Sequence, residues 1–162
     1  MADSTVIVQL PSEALARLPS AIAALVPANT DHFMAALEMG YLAASADGLD
    51  ETERDAIATT LEKVTGIGFD HDAFEAHFSD LDAAVLALGR RERLARTSAE
   101  FDNDDTRANV IRFAALVAMA DGVLNAPELV VLEEVGSHFK WTPDRIRGLV
   151  TDAAARVQGG DR

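Results

Sequence analysis

The residues of this chain best suited to chemistry are acidic and come in two groups. Asp47, Asp50 and Glu53 surround the step Asp47-Gly48-Leu49-Asp50. Asp121, Asn125 and Glu128 surround Asp121-Gly122-Val123-Leu124-Asn125. All six side chains offer oxygen, the donor that hard divalent cations such as calcium, magnesium and manganese prefer. If the two groups lie side by side, their carboxylates can share one site or form two. The competing account is structural. Asp50 with Glu53, and Asn125 with Glu128, have the spacing of a capping box, with the N-cap followed by Glu at N3. Capping accounts for those four residues. It does not account for Asp47 and Asp121, because a helix-ending glycine needs no aspartate before it.

Other chemistries lack their residues. An EF-hand loop needs Gly at its sixth position and Glu at its twelfth. Counting from Asp47 gives Thr52 and Ala58, and counting from Asp102 gives Arg107 and Phe113. A di-iron bundle needs Glu-x-x-His pairs, and none occurs. His32, His71, His77 and His138 show no metal-ligand spacing and read as surface or helix-end histidines. Gly66-Ile67-Gly68 lacks the third glycine and the preceding strand of a dinucleotide loop, so it reads as a helix stop. No P-loop and no Gly-x-Ser-x-Gly elbow is present. An enzyme working by paired carboxylates is disfavoured, because these acids are committed to capping and no nucleophile or cofactor motif accompanies them. No catalytic residue is assigned.

The elements around the acidic groups are helices. Each Asp-Gly step follows an apolar helical run, residues 32–45 and 110–119, and precedes another, residues 54–64 and 129–139. Gly48 and Gly122 stand where the left-handed conformation closes a helix. Pro127 falls in a first turn, where its missing N–H costs nothing. Each corner is therefore a helix stop, a tight turn and a helix start.

The remaining chain is read by periodicity and capping signals. Residues 1–11 form a loose terminus in which Val6-Ile7-Val8 has nothing obvious to pair with. Ser12 caps a short helix that Pro19 interrupts. Residues 20–26 add a further turn or two, which Pro27 ends. Thr30 caps a helix carrying Phe33, Leu37, Tyr41 and Ala44. After the first corner, Ile57, Leu61 and Val64 face inward. Asp70 caps a short helix with Phe74 and Phe78, and Asp80 or Asp82 starts another with Leu81, Val85 and Leu88 inside. The basic run Arg90-Arg91-Glu92-Arg93 reads as the C-terminal end of that helix, where cations suit the dipole; a partner-binding patch is the other reading. Asp102 or Asp104 caps a central helix with Val110, Ile111, Phe113 and Val117. Leu129, Leu132 and Val135 form a stripe after the second corner. Trp141 has the position of a hydrophobic staple. Thr142 and Pro143 open a last helix with Ile146, Leu149 and Val150, and residues 158–162 fray. Residues 69–78 correspond to 141–150, so the layout repeats.

The chain has 162 residues, the length of one domain. It is 49% hydrophobic with few aromatics, which suits closely packed helices more than strands. The net charge of −13 disfavours nucleic acid and fits cations, a basic partner or a solvated surface. No Cys means no disulfide and no thiolate chemistry. No signal-peptide pattern and no membrane-spanning run is seen, and a cytoplasmic protein is expected by default.

The pattern Ala-Asp-Gly followed by a capping residue and Glu three places on resembles the TerB family of tellurite-resistance proteins. It is clearest from Phe113-Ala114-Ala115-Leu116-Val117-Ala118-Met119-Ala120-Asp121-Gly122 through Glu128. The same fold occurs as the N-terminal domain of some membrane-anchored DnaJ-type co-chaperones. The resemblance covers residues 30–156. It implies an all-helical, roughly two-fold symmetric fold, a non-enzymatic role in bacterial tellurite resistance and wider stress responses, and membrane-linked partner proteins. It also implies divalent metal at the positions of Asp47, Glu53, Asp121 and Glu128. The first corner departs from the second by being one residue shorter.

The expectation is thus an all-α bundle of about seven to eight helices with an internal pseudo-two-fold repeat. Residues 1–29 form an N-terminal segment, residues 30–157 the helical domain with repeats at about 30–79 and 104–157, and residues 158–162 a tail. The metal candidates are Asp47, Asp50, Glu53, Asp121, Asn125 and Glu128, with no other cofactor. The alternative is a metal-independent acidic module that docks protein partners.

Overall fold

The computed structural model describes residues 5–46, 48, 50–64 and 70–159. Among them are nine helices and one two-stranded ribbon. The order is β1 (Val6–Gln9), α1 (Ser12–Leu15), α2 (Leu18–Ala23), α3 (Thr30–Ala44), α4 (Glu51–Glu62), α5 (His71–Leu88), α6 (Arg90–Ser98), α7 (Asp104–Ala118), β2 (Val123–Asn125), α8 (Ala126–His138) and α9 (Pro143–Gly159). The all-α expectation holds, with a small sheet added.

Helices α3 and α7 make the most extensive contact in the molecule. Both are apolar around most of their circumference, so both must be covered on several sides. From Ala35 to Ala44 every residue of α3 is buried, and so is every residue of α7 from Phe113 to Ala118. They approach closely because Gly40 has no side chain. A Cβ there would lie 2.7 Å from Val117 Cβ and 3.2 Å from the Ala114 carbonyl oxygen. Helix α8 packs on α3 and α9 on α7, while α4 and α5 pack on each other. The stripes of Ile57, Leu61 and Val64 and of Leu129, Leu132 and Val135 all face the core.

Several local expectations are corrected. The N-terminal strand does find a partner: β1 runs antiparallel to β2, pairing Val6 with Asn125, Val8 with Leu124 and Gln9 with Val123, with an irregularity between Val6 and Val8. Leu10 N–H donates to Gly122 O at 2.7 Å, and Ala126 N–H to Thr5 O at 2.8 Å. The partner was invisible because β2 is three residues long and lies inside the second corner. Pro19 does not interrupt a helix but sits in the first turn of α2. Ser12 is the first residue of α1, and Pro11 precedes it as N-cap without a side-chain bond.

Two caps move by one residue. Asn29, not Thr30, accepts from His32 N–H, and Asn103, not Asp102 or Asp104, accepts from Thr106 N–H. In both places adjacent residues all have capping side chains, so composition alone does not choose between them. Helix α5 does not break at Asp80 or Asp82; it runs unbroken for 18 residues to Gly89. Asp82 is turned to Tyr41 and Arg54 instead of capping. Leu88, expected inside, is exposed. Because the chain breaks at Gly89 (φ 88°), the basic run at residues 90–93 opens α6 rather than ending α5. The stop at Gly66-Ile67-Gly68 lies outside the described residues.

Candidate functional site

The second corner is fully described. Gly122 has φ 93°, a left-handed value that suits glycine, and its N–H closes α7 by donating to Met119 O at 2.7 Å. Leu15 of α1 lies over it: a Cβ added at Gly122 would sit 3.5 Å from Leu15 Cδ2. Asn125 and Glu128 form a reciprocal capping box, Asn125 N–H to Glu128 Oε1 at 2.8 Å and Glu128 N–H to Asn125 Oδ1 at 3.1 Å. Glu128 is 6% exposed. Asp121 has a structural task that its position alone did not reveal: its Oδ1 accepts from Val123 N–H at 3.1 Å, holding the turn into β2.

The first corner repeats this build. Gly48 has φ 91°, and its N–H donates to Ser45 O at 3.1 Å. Asp50 and Glu53 form the second capping box, Asp50 N–H to Glu53 Oε1 at 3.0 Å and Glu53 N–H to Asp50 Oδ1 at 2.8 Å. Asp47 lies outside the described residues. The box uses one oxygen of each carboxylate. Asp50 Oδ2 and Glu53 Oε2 stand outside it, with Asp50 exposed and Glu53 half-buried. The second corner offers less, because the lone side-chain oxygen of Asn125 already serves its cap.

Next to the first corner lies a cluster that sequence reasoning missed. Among the described residues, Asp55, His71 and Glu75 each present a ligand atom within 4.8 Å of the others. His71 Nε2 is 2.5 Å from Asp55 Oδ1 and 3.9 Å from Glu75 Oε2. The three line an open cavity of about 380 Å³ together with Asp50, Glu51 and Arg54. Asp70 places His71 by accepting the Ala73 N–H at 2.9 Å, which caps α5. The hydrogen bond to Asp55, ahead of the other causes, holds the His71 imidazolium above its ordinary pKa. One signal was legible: His71 and Glu75 stand one helical turn apart. The approach of Asp55 from α4 was not.

Arg54 borders this cavity, its Nε 3.8 Å from Glu75 Oε1, and its guanidinium is engaged on α3 and α5 as well. Its Nη2 donates to Tyr41 Oη at 2.8 Å and pairs with the Asp82 carboxylate, and Tyr41 Oη donates to Asp82 Oδ1 at 3.0 Å. Tyr41 stacks on Phe78 with ring centroids 4.4 Å apart. Burial, more than any other cause, pushes the Tyr41 phenol up to about 12. His77, on the same helix as His71, moves the other way, because burial disfavours its charged form.

The cavity borders the first corner, so concavity alone does not separate an enzyme from a binding domain. The capping box engages one oxygen of each of the Asp50 and Glu53 carboxylates. Among the described residues, no helix is long and apolar enough to cross a membrane.

A family model described as "Tellurite resistance protein TerB" matches residues 33–149, from the start of α3 into α9 and across both corners. No curated protein and no solved structure matches the chain. The matched span includes Asp55, His71 and Glu75 and covers well over half of the sequence. The chain belongs to the TerB family of tellurite-resistance proteins.

Proposed function

We propose that this chain is a non-enzymatic binding domain of the tellurite and stress response, with a divalent cation (calcium, magnesium or manganese) held at its acidic corners. Its partners on this reading are proteins, including membrane-associated ones. The observation that carries it is the common build of the corners. In the first, Asp50 and Glu53 each lock one carboxylate oxygen in the capping box, which orients the other oxygen at fixed positions. Preorganised oxygens lower the ordering cost of binding a hard cation. Asp47 and Asp121 complete the donor set.

The test is calorimetric titration of calcium, magnesium and manganese into metal-free protein, repeated on Asp47→Asn/Asp121→Asn. Heat that disappears in the double variant supports the cation. Heat that is absent, or unaffected by the substitutions, removes it.

The net charge of −13 supports a second reading, a metal-independent acidic surface that docks a basic partner. Partner capture that weakens steeply with salt and ignores chelators selects this reading.

A further inference from the structure

We propose that Asp55, His71 and Glu75 form a separate site for a borderline divalent transition-metal cation of the zinc class. It rests on residues other than the proposed corner ligands. Its donors come from two helices, Asp55 from α4 and His71 and Glu75 from one face of α5. An imidazole nitrogen with two carboxylates suits zinc, cobalt and nickel and is a poor match for calcium or magnesium.

Four features of the surroundings favour a cation. First, Asp50 and Glu51 line the same cavity, so four carboxylates face it. Second, the guanidinium of Arg54 is already engaged by Tyr41 and Asp82. Third, the same Arg54 approaches Glu75 Oε1 at 3.8 Å while Glu75 Oε2 faces His71, so Arg54 orients the carboxylate that would ligate. Fourth, His71 Nδ1, on the far side of the ring, lies 3.8 Å from Asp72 Oδ1, a carboxylate behind a ligating imidazole. The Nε2 to Oδ1 distance of 2.5 Å is that of a short hydrogen bond. Ligands on a tetrahedral zinc, with bonds of about 2.0 Å, stand about 3.3 Å apart. Asp55 is exposed and free to swing outward by that difference as the cation replaces the bridging proton.

The internal repeat supplies a control. Aligning the capping boxes sets Asp55 against Val130. Aligning Asp70 with Thr142, the caps of α5 and α9, sets His71 against Pro143 and Glu75 against Arg147. The second half builds the same helices with an apolar residue, a proline and a cation at these positions. The fold therefore does not require the trio, and its convergence in the first half calls for another explanation.

The experiment uses the whole chain, freed of metal. Zinc is titrated calorimetrically, and cobalt is followed by its visible absorption, in wild type, His71→Asn, Asp55→Asn and Asp47→Asn/Asp121→Asn. Saturation at one equivalent is expected in wild type and in the corner variant. A loss of affinity of about tenfold or more is expected in each of the other two. Both substituted side chains lie outside the core, and thermal unfolding without metal checks that each variant folds. Absence of zinc binding, or zinc binding that survives His71→Asn, overturns the proposal, as does binding lost only in the corner variant. If His71→Asn lowers metal-free stability while zinc leaves wild-type stability unchanged, the trio is a helix staple and the proposal fails. Calcium or magnesium heat that persists in His71→Asn bears on the corners alone, so the two sites fail separately.

Discussion

Arg93 in α6 grips Glu38 in α3 through two parallel hydrogen bonds, Nε to Oε2 and Nη2 to Oε1, each 2.7 Å long. Glu38 is 5% exposed and lies within the buried stretch of α3 from Ala35 to Ala44. A carboxylate there needs a partner, and the planar fork of arginine matches both of its oxygens. This pair explains why a basic run opens α6: one of its members reaches inward while the others meet solvent.

Removing the arginine leaves a buried charge unpaired. Arg93→Met is expected to cost about 3 kcal/mol, measured by urea unfolding. Glu38→Leu/Arg93→Met together should restore most of that stability, because no charge is then left in the core. A double variant no more stable than Arg93→Met would place the cost in lost packing.

Gly40→Ala is expected to destabilise by about 1–3 kcal/mol, although alanine is the better helix former by about 1 kcal/mol. The added Cβ falls 2.7 Å from Val117 Cβ and 2.9 Å from Val117 Cγ1, so α3 and α7 must separate. Val117→Ala removes the second of those contacts. Denaturant unfolding of the double variant should show a smaller combined loss than the sum of the two single ones.

Tyr41 is the only tyrosine in the chain, so phenolate absorbance reports it alone. Burial pushes its pKa up to about 12, above the ordinary value of about 10. The folded state therefore keeps a proton that the unfolded state gives up. The stability linked to Tyr41 is fully present below pH about 10 and is lost as pH rises through about 12. Spectrophotometric titration should show no phenolate step near pH 10 in folded protein and a step at that pH in denaturant. In Tyr41→Phe the fall in stability across that window should be shallower.

Much of the helical plan was legible in the chain before folding. Capping boxes are local: Asp50 and Glu53, or Asn125 and Glu128, act through bonds three residues apart, so spacing alone reveals them. The glycine stops are local too, and Gly48 and Gly122 have the left-handed backbone that their places between helices demand. The apolar period marked Ile57, Leu61 and Val64, and Leu129, Leu132 and Val135, because one face of a helix must be dry.

What tertiary structure alone decided lies in contacts between distant segments. Val6–Gln9 has no local partner and becomes a strand only because the second corner offers three residues of free edge. Asp82 looks like a cap in sequence and is instead drawn to Arg54 and Tyr41. His71 and Glu75 announce a common helix face, but the packing of α4 on α5 brings Asp55 to them. The physical reason is reach. Capping and periodicity act over a few residues and leave their mark in order and spacing. The convergence of charged side chains depends on how helices cross, and the buried surface of the whole domain sets those crossings.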